Sequence, residues 1–256
     1  EEGEFRFVVE IEPQEGEKQT ENNRRERLVR VRKEKIRVLL AYAYPSYEFR
    51  YLRNMFKRDS TVELDTVLQE ADLEYAEQDA TALRSFPVRR EEVFKYDVII
   101  LGDIDPSLLN PSILQNVVDF VSQPGKGGAL VCIAGPRYMP LAFRGTALED
   151  LLPIRASTVR IPVEQASLTE PIHLAPTELG LMNPGMQLGD SPAESSDIWD
   201  RLPDVYWAVE APDLKPGARV LAERSDAVGP DGSPLPAIVM QYVGAGKVLF
   251  HGTDET

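Results

Sequence analysis

The residues of this 256-residue chain that could do chemistry gather in a few short stretches. "ALVCIAGPRYMP", residues 129–140, runs from an apolar strand into a Gly-Pro turn and carries the single cysteine, Cys132. A strand followed by a sharp turn is where many α/β enzymes hold a Ser or Cys nucleophile. Counting back from Gly135, that elbow position falls on Ala134, and Cys132 lies two residues earlier, inside the strand. A thiol buried there is a poor nucleophile, because an apolar environment disfavours the thiolate. A cysteine nucleophile also needs a nearby base. The two histidines are His173, in a stretch without periodicity and read as a surface residue, and His251, which follows the last strand.

Carboxylates offer a second chemistry. Asp103 and Asp105 follow an apolar run, and Asp254 follows the final strand; together they could bind Mg²⁺ or Ca²⁺ through oxygen ligands. The competing reading, in which Asp103 and Asp105 cap the turn before Pro106, is preferred. No metal site and no cofactor are therefore expected. "VGAGKV" is rich in glycine but joins two strands, so it presents no helix N-terminus to a phosphate.

The elements that must position these groups follow from periodicity. "IRVLLAYA", "TVELDTVL", "YDVIILGDID" and "GGALVCIAG" read as strands, the first, third and fourth apolar almost throughout. "SYEFRYLRNMFKRD" and "PSILQNVVDFVSQ" have helical spacing, the first with Phe49, Leu52 and Phe56 inward, the second opened by Pro111 with Ile113, Val117 and Phe120 inward. Such an alternation implies an α/β fold with a mainly parallel sheet covered on both faces. Residues 155–215 are rich in proline and irregular, with a possible strand in "TVRIPVE" and a short helix in "SSDIWDRL". "ARVLAER", "PAIVMQYV" and "GKVLFHG" are three further strands, the first two a hairpin and the last rejoining the main sheet.

In open α/β sheets, ligands bind beyond the carboxyl ends of the strands. The ligand-binding candidates are accordingly Tyr44, Asp103, Asp105, Arg137, His251 and Asp254, with Tyr47 and Tyr138 close to them in sequence. On the first helix, Tyr47, Arg50 and Arg53 together with Tyr44 are read as the set that could line a groove or interface.

Residues 1–34 differ. Phe5, Phe7, Val9 and Ile11 alternate with Arg6, Val8 and Glu10, "RLVRVR" alternates again, and a polar linker separates them, the pattern of an antiparallel β-hairpin. A hairpin alone is marginal in water, so this one is expected to be the remnant of a β-sandwich. With 43% hydrophobic and 27% charged residues the chain should fold, and its net charge of −14 argues against a nucleic-acid partner. No apolar run is long enough to span a bilayer, so no membrane contact by this fragment is expected. The first residue is not Met and the last strand ends close to the final residue, so the sequence is read as part of a longer chain.

"KIRVLLAYAYPSYEFRYLRNMFKRD", "YDVIILGDIDP", "GGALVCIAGPRYMP", "LPDVYW" and "GAGKVLFHGTDET" together resemble the class I glutamine amidotransferase-like domains of large bacterial membrane-anchored proteins of planctomycete type. Those domains are often associated with von Willebrand A and Ig-like segments. The resemblance covers 36–256 and implies a flavodoxin-like three-layer sandwich, related to trehalose-utilisation-like and glycosidase trimerisation domains. It also implies that residues 1–34 end an Ig-like segment and that the location is extracytoplasmic (periplasmic). Active class I amidotransferases carry Cys at the elbow and a His-x-Glu pair near the end; here stand Ala134 and "His251-Gly252-Thr253-Asp254". The expected function is a non-catalytic binding or scaffold domain whose partners are proteins, neighbouring domains or a small ligand. The alternative is a hydrolase or amidotransferase with an acid/His site built from Asp103, Asp105 and Asp254, with His251 as base.

Overall fold

A computed structural model describes residues 3–12, 23–31, 35–72, 74–162 and 171–254. The chain divides into two compact units, Glu1–Lys35 and Ile36–Thr256. In the first, β1 (Gly3–Glu10) pairs antiparallel with β2 (Arg24–Val31), Phe7 opposite Arg27. Phe5, Phe7 and Val9, from the apolar set of the alternation, are 40%, 55% and 65% exposed, so these three side chains are not buried.

The second unit opens with β3 (Ile36–Tyr42), α1 (Tyr47–Arg58) and β4 (Val62–Leu68). Ser46 caps α1 by accepting a hydrogen bond from the Phe49 N–H at 3.1 Å, which satisfies one of the orphan donors of the first turn. Two single-turn helices, α2 (Tyr75–Gln78) and α3 (Arg90–Val93), precede β5 (Val98–Leu101). Helix α4 (Pro111–Ser122) begins as its sequence demands: Asn110 accepts from the Ile113 N–H at 3.0 Å, and Pro111 occupies the first turn, where its missing N–H costs nothing. Strand β6 (Ala129–Ile133) follows. Later come β7 (Leu174–Pro176), α5 (Glu178–Leu181), α6 (Pro192–Trp199), β8 (Arg219–Val228), β9 (Pro234–Val243) and β10 (Gly246–His251).

These strands form one eight-stranded sheet in the order β4-β3-β5-β6-β10-β9-β8-β7. The pairs from β4 to β10 are parallel and those from β10 to β7 antiparallel, so the sheet is mainly parallel. Side-chain alternation sends Leu39, Ile99, Leu130, Cys132, Val248 and Phe250 to one face, beneath Val117 and Phe120 of α4. Val38, Leu40, Tyr42 and Ile100 go to the other face, where Phe49 of α1 covers them. On that same face Trp199 of α6 packs with Ile238, Met240 and Leu249. Helices on both sides of the sheet make a three-layer α/β arrangement, as the apolar strands required.

Two sequence expectations fail. "TVRIPVE" forms no strand among its described residues: Arg160 makes only an isolated bridge to Glu210, and Val163 and Glu164 lie outside the described residues. Arg53 is not a groove residue either. It forms an ion pair with Asp79, whose side chain is 5% exposed, and Lys57 approaches the same carboxylate at 3.5 Å. Exposure on a helix was read from spacing alone, which cannot register a buried acid arriving from the segment between α2 and β5.

Candidate functional site

The strand order reverses direction between β3 and β5, which leave from adjacent positions toward opposite ends of the sheet. A crevice beyond their carboxyl ends is the expected ligand position in such a sheet. Tyr44 follows β3 and Asp103 follows β5, and they meet there: the Tyr44 hydroxyl donates to Asp103 Oδ2 at 3.3 Å. Asp103 is 1% exposed. Its carboxylate also accepts the backbone N–H groups of Arg137 (2.9 Å), Tyr138 (2.7 Å) and Met139 (2.9 Å). The turn after β6 is thus wrapped around one side chain, and a carboxylate so engaged has little capacity left for a ligand.

Around this knot the exposed crest is formed by Arg137, Tyr44 and Glu70. The Arg137 guanidinium lies 4.1 Å from the Tyr44 ring centroid and reaches Glu70 at 3.5 Å. Burial, reinforced by the charges of Asp103 and Asp254, pushes the Tyr44 phenol well above its ordinary pKa, so the hydroxyl stays protonated and a donor. Tyr42 lies deeper, its ring packed over Gly102 and edge-on to Phe49 at 5.7 Å between centroids. Its buried hydroxyl has no hydrogen-bond partner among the described residues, and burial followed by the Glu48 and Asp254 charges raises its pKa as well.

The elbow position holds Ala134, buried, with its N–H donating to the His251 carbonyl at 2.8 Å. Cys132 is fully buried on the α4 side of the sheet, and burial pushes its thiol up to about 12. Asp105, Asp254 and His251 are the remaining candidates. Asp105 accepts from the Ser107 N–H at 2.8 Å, and its own N–H donates to Gln69 Oε1 at 2.8 Å, the turn-capping role preferred from the sequence. Asp254 is buried near Tyr42 and Tyr44, close enough to influence both. His251 takes the opposite sheet face from Cys132 and Phe250. Its Nδ1 bonds the Thr253 carbonyl at 3.0 Å, and its ring lines a cavity that also contains His173, read from the sequence as a surface residue. Among the described residues no group of three His, Cys, Asp or Glu is placed to hold a metal ion, and no helix is long and apolar enough to cross a membrane.

Sequence reasoning did not single out Glu70, Gln69 or Gly135. Gly135 alone carried a signal: a Cβ there would lie 2.3 Å from Asp103 Cβ, so only glycine lets the turn close on the carboxylate.

No family model matches the sequence, and no curated protein matches it. Among solved structures, the chain is similar to Gan42B, a GH42 β-galactosidase, at 12% identity and a TM-score of 0.48. A catalytic mutant of Gan42B from G. stearothermophilus gives 12% and 0.45. In both cases 87% of this chain and 28% of the enzyme are covered. A polyextremophilic β-galactosidase from the Antarctic haloarchaeon Halorubrum lacusprofundi gives 16% identity and a TM-score of 0.40, covering 84% of this chain and 27% of that one. The chain spans less than a third of the length of these enzymes.

Proposed function

We propose that Ile36–Thr256 is a non-catalytic, class I glutamine amidotransferase-like domain of flavodoxin-like topology. Its role is binding or scaffolding in an extracytoplasmic, membrane-anchored protein of planctomycete type, with a protein partner or neighbouring domains contacting the strand crest. One observation carries the reading: the turn that would present a nucleophile presents Ala134, and the one thiol is sealed in the core at Cys132. The parallel strands support the topology. Numbered among the five parallel strands alone, β4-β3-β5-β6-β10 is the order 2-1-3-4-5 of flavodoxin-like sheets. The exposed apolar face of the hairpin supports its origin in an Ig-like segment, which would supply the missing layer.

The binding surface is Arg137, Tyr44 and Glu70, a stacked cation and an acid on a turn that Asp103 holds rigid. Hydrolysis with Asp103 as a catalytic acid and His251 as base requires a free carboxylate, whereas that of Asp103 accepts from three backbone N–H groups and the Tyr44 hydroxyl.

A glutaminase assay tests the absence of catalysis. The wild-type chain releases no ammonia from glutamine above the buffer rate, and it is indistinguishable from Cys132→Ala. Turnover abolished by Cys132→Ala or His251→Ala would overturn the reading. For binding, Arg137→Ala with Tyr44→Ala reduces recovery of partners from source cells, and undiminished recovery rules out this surface.

A further inference from the structure

The two histidines of the chain, far apart in sequence, line one cavity of about 360 Å³ at the carboxyl end of β10. Its walls include Trp199, Tyr206 and Ile238, and its polar groups are His173, His251 and Asp204. The volume is within the range that holds small organic ligands, and mostly apolar walls with a few convergent polar groups are the usual composition of such sites.

The hydrogen bonds settle the polarity of the cavity. His251 Nδ1 faces the Thr253 carbonyl oxygen at 3.0 Å, and a carbonyl only accepts, so Nδ1 carries the proton. His173 Nδ1 faces Asp204 Oδ1 at 3.1 Å, with the same consequence beside an ionised carboxylate. Two imidazoles and a carboxylate form the polar set, and among the described residues no Lys or Arg lines the cavity. The Trp199 indole N–H is spent on the Met186 carbonyl at 3.0 Å, so that side chain offers its ring and no donor. A site with one carboxylate, no lining Lys or Arg and aromatic walls is complementary to a cation on an aromatic body. The net charge of −14 favours the same sign of ligand.

We infer that this cavity binds a small aromatic amine, the ring held between Trp199 and Tyr206 and the ammonium directed to Asp204. The lining does not include the crest residues Arg137, Tyr44 and Glu70, and the inference stands whether or not those bind a partner.

Isothermal titration of the whole chain with tyramine, and with 4-hydroxyphenylacetate, which keeps the ring and replaces the ammonium by a carboxylate, tests this. Tyramine binds saturably at one site, and the carboxylate binds at least about tenfold more weakly. Asp204→Asn, an exposed and nearly isosteric change, lowers tyramine affinity about tenfold with the circular dichroism spectrum unchanged. Tyr206→Ala, also at an exposed position, lowers it independently of the charge. No saturable tyramine binding at millimolar concentration, equal or tighter binding of the carboxylate, or full affinity in both variants would overturn the inference.

Discussion

Asp103 and Gly135 are packed so closely that a single added carbon on the glycine would overlap the aspartate: its Cβ would lie 2.3 Å from both Cβ and Cγ of Asp103. Gly135→Ala must therefore push the carboxylate off the three N–H groups it holds. Overpacking of this kind costs about 1–3 kcal/mol. In a chain of this size each kcal/mol lowers the melting temperature by roughly 2–4 °C. Thermal unfolding followed by circular dichroism checks it; an unchanged melting temperature would show that the turn relaxes freely.

Removing the other member of the pair is more damaging. Asp103→Ala leaves the N–H groups of Arg137, Tyr138 and Met139 without their acceptor, and the Tyr44 hydroxyl with them. Buried donors stranded in this way cost about 1–3 kcal/mol each, less whatever water recovers. Denaturant titration should show a loss of at least about 3 kcal/mol, and Asp103→Asn, which keeps one acceptor oxygen, a smaller one.

Alkaline stability carries the signature of the buried thiol. Burial raises the Cys132 pKa from 9.0 to about 12, so the folded chain holds the proton that the unfolded chain releases. The associated stability is complete below pH 9 and is lost as pH rises toward 12, at about 1.4 kcal/mol per pH unit. Tyr42, Tyr44 and Tyr96, raised mainly by burial from 10.0, act in the same direction only above pH 10. Urea unfolding between pH 8 and pH 10.5 should give a shallower decline for Cys132→Ala than for the wild type. Parallel slopes would contradict a sealed thiol.

The Arg53 and Asp79 pair gives a test away from the crest. Arg53→Met removes the closest counter-charge from a carboxylate that is 5% exposed, leaving Lys57 and the Thr81 N–H and hydroxyl. Breaking a buried pair on one side costs about 3–5 kcal/mol, and the surviving partners bring the expected loss to about 2 kcal/mol. Asp79→Asn in the Arg53→Met background should recover part of it; no recovery would place the loss in packing.

What could be read in advance divides along physical lines. Ile36–Tyr42, Val98–Leu101 and Ala129–Ile133 were legible because a strand covered on both faces must be apolar at nearly every position. The capped starts of α1 and α4 were legible because Ser46 and Asn110 make contacts within three residues. Strand β7 was not, since Leu174–Pro176 is short and is defined by its pairing with β8. For the same reason His173 read as a surface residue: nothing in its neighbourhood announces that it precedes an edge strand and lines the same cavity as His251. The crest was half legible. Tyr44, Asp103 and Arg137 were placed by the rule for strand ends, while the closure of the Asp103 carboxylate by backbone N–H groups depends on a turn geometry that residue types do not encode.

The position of β10 has a consequence for synthesis. It lies between β6 and β9 in the middle of the sheet, yet its residues, Gly246–His251, follow those of all the other strands. Until they leave the ribosome, the edge of β6 has no neighbour, and the antiparallel half has nothing to join. The nascent chain must therefore carry an open, apolar strand edge from the completion of β6 until β10 is made, the kind of edge that recruits chaperones or other chains. The sheet closes in one late step, when a six-residue strand enters between two halves already made.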